Sequence, residues 1–177
     1  MNARQMLGVG VAMLSIVSSV AYAQHAGSAV QEVRRATERF KDVAAATAEG
    51  YKPFLGCVSS AQEGAMGIHY VNESLVGDGV LDAARPEALM YEPKNGRLHF
   101  VGVEYIVLAE AWNAKNQTPP TLMGQVFHYT GSPNRYGIPA FYALHVWAWK
   151  QNPHGTFADW NPKVSCDEQP AKAAAGR

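Results

Sequence analysis

This sequence has no excess of charge of either sign. Fifteen Lys and Arg meet fifteen Asp and Glu, giving a formal net charge of zero, and only 17% of the 177 residues are charged. A chain without a basic surplus lacks the electrostatic footprint of a nucleic-acid binder. At 47% hydrophobic residues it is also too apolar for a disordered segment. Cysteine is scarce, with only Cys57 and Cys166. The absence of CxxC and CxxCH weighs against metal-binding thiols. There is no GxSxG elbow, no phosphate-binding P-loop, no GxGxxG after a strand and no HExxH helix. After the N-terminus, no apolar run is long enough to cross a bilayer.

The N-terminus itself has the pattern of an export signal. A short basic stretch, MNARQ, precedes the apolar run MLGVGVAMLSIVSSV, and AYA precedes Gln24. The apolar run falls short of the ~20 residues of a membrane span. The small-x-small ending predicts cleavage after Ala23. No twin-arginine pair and no cysteine at the cleavage point are present, which argues against a lipid anchor. Residues 1–23 therefore read as a signal peptide, 24–170 as a single globular domain and 171–177 as a disordered tail. The expected location is periplasmic or secreted, with no membrane partner once the signal is removed. In an oxidising compartment Cys57 and Cys166 are expected to form one disulfide.

Periodicity gives the fold class. Ser28–Thr47 reads as one helix, with Ser28 and Gln31 as a capping box and Val33, Ala36, Phe40, Val43 and Thr47 as its apolar face. Beyond Gly50 the period changes. Short runs rich in Val, Ile, Tyr, Phe and Trp read as strands near 66–71, 87–92, 98–108, 124–129 and 139–150. The expected fold is α+β: an N-terminal helix packed on a curved, mostly antiparallel β-sheet or partial barrel.

The segment RPEALMYEPKNGRLHFVGVEYIVL contains the most informative turn, Asn95-Gly96. A two-residue turn there places Glu87 opposite Glu104, and a four-residue turn places them on a diagonal. Both registers put Glu87, Leu89, Tyr91, Phe100, Glu104 and Ile106 on one face. Two carboxylates on a covered face need a cation or a shared proton. The other face, with Met90, Val101, Val103, Tyr105 and Val107, is equally apolar, so the pattern leaves open which face meets the helix.

Two histidines join this argument. His69 lies in GAMGIHYVN, and His145 in YALHVWAWK alternates with Trp147. Imidazole and carboxylate donors together suit a divalent transition metal such as Zn, Mn, Fe or Cu. His69, Glu87, Glu104 and His145 are the candidate ligands, with His128 in reserve. His25, His99 and His154 are weaker candidates. Tyr70, Tyr105 and Trp147 are candidates for contact with a small-molecule substrate, although tryptophans near Cys166 also suit a core. Two other readings remain open. One is a metal-free hydrolase using Glu87 and Glu104 as an acid/base pair on a small molecule or glycan. The other is a non-catalytic binding or structural module.

The stretches GAMGIHYVN, RPEALMYEP, GVEYIVLAEAW and FYALHVWAWKQNPHGTFADWNPKVSC resemble a family of small exported bacterial proteins of uncharacterised function. The similarity spans roughly residues 36–166. It implies an exported protein with these domain limits and carries over no catalytic residue.

Overall fold

The computed structural model describes residues 26–169. The expected signal peptide, its cleavage point, His25 and the 171–177 tail lie outside them. The apolar stripe of the first third folds as three helical pieces instead of one. Helix α1 spans residues 26–37, a 3-10 turn follows at Glu38–Lys41, and α2 spans Val43–Ala48. Residues 26 and 27 are already helical, so Ser28 lies inside the helix and not at its cap. The break has local causes. The Thr37 hydroxyl donates to the Val33 carbonyl at 2.6 Å, a back-bond that bends helices. Asp42 then turns extended and its side chain accepts from the Ala44 amide, capping α2. The break rephases the buried face: Val33, Thr37, Phe40 and Ala46 are buried, while Thr47 is exposed.

Strands β1 (Lys52–Ser60), β2 (Gly64–Val71), β3 (Ala88–Lys94) and β4 (Arg97–Leu108) follow. Between β2 and β3 lies α3 (Glu73–Asp78), capped by the Asn72 side chain. After β4 come α4 (Ala109–Asn113), the two-residue strands β5 (Thr121–Leu122) and β6 (Gln125–Val126), then β7 (His128–Thr130) and β8 (Phe141–Val146). The main sheet runs β1-β2-β3-β4-β8-β7 with every pairing antiparallel, and it curls into a half-barrel. The expected α+β class therefore holds. The run near 124–129 is split between β6 and β7. Strand β1 was not anticipated, because a bulge at Leu55 and Gly56, both at positive φ, interrupts its alternation.

The register of β3 and β4 decides which residues meet. From Lys94↔Arg97 to Tyr91↔Phe100 the pairing follows a two-residue turn at Asn95-Gly96. Beyond it, Met90 pairs with Gly102, so Val101 is an extra residue in β4. One inserted residue exchanges the faces of everything past it. Leu89, Tyr91, Phe100, Val103, Tyr105 and Val107 belong to the cluster that holds the helical residues Val33, Phe40 and Ala46. Ala88, Met90, Glu104 and Ile106 lie on the opposite face. Gly102 sits at the crossover, where a Cβ would lie 2.5 Å from the Val146 carbonyl oxygen.

Polar ties fasten the helical layer and the C-terminal segment to the sheet. The Tyr91 hydroxyl donates to the Phe40 carbonyl at 2.7 Å, taking up an acceptor at the helical break. Glu92 accepts from Lys150 Nζ and from the Ser165 amide. The Cys57–Cys166 disulfide is formed and closes 109 residues of chain.

Two outcomes follow for stability. Tyr91→Phe leaves the buried Phe40 carbonyl without its donor and lowers the unfolding free energy by about 1–3 kcal/mol, read as a shifted urea midpoint at unchanged slope. Replacing both Cys57 and Cys166 with Ala costs about 2–4 kcal/mol in the same measurement.

Candidate metal centre

His69, Glu104 and His145 come from three strands of the face turned away from the helix. His69 pairs with Met90 across β2 and β3, and Glu104 pairs with Ala88 across β3 and β4. Glu104 and His145 face each other directly across β4 and β8. Strand β3 therefore lies between His69 and Glu104. Opposite Glu104 it presents only the methyl group of Ala88, which leaves room for the two longer side chains to meet above it. Gly67, two residues before His69, has φ +95°, and a Cβ there would lie 2.5 Å from the Tyr91 carbonyl oxygen. Only glycine allows β2 to approach β3 this closely with that backbone conformation.

The three side chains converge. His69 Nε2 lies 3.3 Å from Glu104 Oε2, and His145 Nε2 lies 3.7 Å from Glu104 Oε1. One donor atom from each residue lies within 4.8 Å of the others, and all three residues are buried. His145 is 3% exposed, and among the described residues neither of its ring nitrogens has a hydrogen-bond partner. A buried polar group left in this way costs about 1–3 kcal/mol. Its nearest anion on the other side is Asp159, with Oδ1 at 3.4 Å from Nδ1, an ionic contact and not an aligned hydrogen bond.

Burial and neighbouring charges set the protonation of these groups. Burial lowers the pKa of His69, against the pull of Glu104 and with a smaller push from His145. Burial also acts to lower His145, but Glu104 and Asp159 together outweigh it and the net shift is upward. Burial would raise Asp159, yet its contacts with His145 and His128 hold it down at about 2.

Asp159 was not anticipated from the sequence. It lies in the FADWNP turn region, outside any strand, and no spacing rule connects it with His145. His128, the reserve ligand, is exposed and reaches Asp159 with Nδ1 at 3.0 Å from Oδ2. It is one carboxylate removed from the cluster. His154 is exposed.

Glu87 stands apart from the three-residue group. Because of the extra residue Val101, Ala88 and not Glu87 faces Glu104. Glu87 Oε2 accepts instead from the Ile106 amide at 2.9 Å, and burial raises its pKa to about 8. The expected placement of Glu87 and Glu104 on one face is thus corrected.

A cavity of about 280 Å³ opens beside the cluster, with His69 and Glu104 among its walls. His145 is not a wall residue and lies behind them. The other walls include Phe54, Val58, Met66, Ile106, Tyr136 and Phe141. None of the three aromatic candidates is a wall of this cavity, although the Trp147 ring stacks with that of His145 at 6.5 Å between centroids. Tyr70 packs against Tyr91 in the helix-facing cluster, and the Tyr105 hydroxyl donates to the Ala83 carbonyl. Trp147 is buried with Met90, Val101 and Val164 beside Cys166, and its Nε1 donates to the Ala158 carbonyl. A tyrosine that does line the cavity is Tyr136, from the loop between β7 and β8. That loop reads as turn punctuation in the sequence, which hides its role.

Comparison with family models, with curated proteins and with solved structures returns no match to this chain. The chemistry must be read from the geometry. Two imidazoles and one carboxylate, with a cavity on one side, form a donor set used by hydrolytic zinc sites and by non-haem iron sites.

Glu87 generates a pH prediction. Its folded pKa of about 8 lies above the ordinary 4.5, so the fold favours its protonated form. The stability it contributes is fully present below pH ~4.5 and is lost as pH rises through ~8. The unfolding free energy should fall by up to about 1.4 kcal/mol per pH unit across that window. Glu87→Gln should flatten the fall, as measured by urea denaturation at a series of pH values.

Proposed function

We propose that this chain is an exported metalloprotein domain in which His69, Glu104 and His145 hold one divalent transition metal, such as Zn, Mn, Fe or Cu. The observation that carries the reading is the buried His145, whose two ring nitrogens have no hydrogen-bond partner among the described residues. A cation bound at Nε2 gives that atom its missing partner and offsets the carboxylate of Glu104. Asp159 on the far side then orients the ring through Nδ1, the arrangement by which carboxylates commonly fix metal-ligating histidines. Three protein donors beside a cavity leave coordination positions open to solvent or substrate, unlike a closed structural site. The formed disulfide and the signal-like N-terminus support export. The reading as a glycan hydrolase has less support, because Glu87 is engaged by a backbone amide and Trp147 is buried in a separate cluster.

Metal analysis tests the proposal. The purified exported protein, stripped and then reloaded, should bind about one metal per chain. His145→Ala and Glu104→Gln should each weaken binding by more than 100-fold. Asp159→Asn should weaken it by about 10–100-fold, the range for groups that orient a ligand. Metal content well below one per chain that His145→Ala leaves unchanged would overturn the reading.

A further inference from the structure

The cavity beside the donor cluster constrains what can reach a bound metal. Its polar groups are few: His69 and Glu104 at the metal side, the Tyr136 hydroxyl, and Glu73, which is exposed. Among the described residues the Tyr136 hydroxyl has only a weak acceptor, the wall residue Met66 with Sδ at 3.9 Å, so it can donate to an incoming oxygen. The remaining walls are hydrocarbon, among them Phe54, Val58, Met66, Ile106, Ile138 and Phe141. Leu55, 45% exposed, extends this apolar surface outward into solvent. A sugar bound here would bury hydroxyls against walls that cannot pair with them, which disfavours it.

Charge selects the other end of the ligand. A divalent cation with one carboxylate and two neutral imidazoles carries a net single positive charge within its donor set; the Asp159 carboxylate lies outside that set, on the Nδ1 side of His145. In a buried site that charge favours a monoanion as the next ligand. Volume limits the hydrocarbon part. A dry cavity of about 150 Å³ accepts benzene. About 280 Å³ therefore has room for a short alkyl chain or a substituted single ring.

We propose that the cavity binds a small hydrophobic monocarboxylate, with its carboxylate on the metal and the Tyr136 hydroxyl and its hydrocarbon part against the apolar walls. The assignment rests on the metal reading above. It names the ligand class of that site.

Calorimetric titration of the zinc-loaded exported protein with acetate, butyrate, hexanoate and benzoate tests it. Zinc content is measured first. Affinity should rise about fourfold per added methylene, as expected for burial of each CH₂, so hexanoate binds more than 100-fold tighter than acetate. The stripped protein should bind hexanoate at least tenfold more weakly, because the anion then meets Glu104 without a cation. Val76→Phe narrows the cavity from α3 without touching a donor. It should retain zinc and lose the gain with chain length. Tyr136→Phe should weaken all four acids by a similar factor and leave the chain-length gain intact. Equal affinity for acetate and hexanoate in the zinc-loaded protein would overturn the assignment and leave the metal centre standing, as would hexanoate binding equally well with and without zinc. A protein that takes up no zinc or other divalent metal overturns both.

Discussion

The extra residue in β4 governs most of what this structure does. Without Val101 the hairpin would carry the register of its turn to the far end. Glu87 and Glu104 would then share one face, and Val103 and Tyr105 would turn away from the helical layer. With it, every residue of β4 beyond Val101 changes sides. Both faces stay apolar, and only one of them carries the acid that meets the histidines. The helix-facing side becomes a continuous cluster of Leu89, Tyr91, Val103, Tyr105 and Val107. The other side is the face on which side chains from β2, β4 and β8 converge.

Charge is sparse in this chain, and each buried carboxylate has a specific counterpart. Glu92 holds Lys150 and the Ser165 amide, and so fixes the C-terminal segment. Glu87 accepts the Ile106 amide and is held largely protonated by burial. Glu104 lies between two imidazoles. The first two have protein partners that satisfy them. The third belongs to a cluster in which, among the described residues, one imidazole remains unsatisfied, and that imbalance sets it apart from the other two.

Some of this was legible in the sequence. The Asn95-Gly96 turn is a strong local signal, and the first pairs of the hairpin follow it. His69, Glu104 and His145 stood out because charged and titratable residues are rare on strands so apolar. The disulfide followed from an even pair of cysteines. Other features had no local signal. A bulge at a valine carries no sequence mark, so the position of Glu87 could not be read. Strand β1 lost its alternation to the bulge at Leu55 and Gly56. The helix looked continuous because its break at Thr37 and Asp42 arises from side-chain hydrogen bonds that compete with the backbone. Asp159 and Tyr136 sit in loops, where tertiary folding alone decides what they touch.

The origin of the three donors on β2, β4 and β8 has a consequence for timing. No hairpin or fragment of this sheet contains the whole set, and the last donor arrives only when β8 docks beside β4. A chain whose β8 has not yet docked therefore lacks the assembled cluster of His69, Glu104 and His145. Whatever these three donors hold is therefore held by the completed sheet and by no smaller part of it.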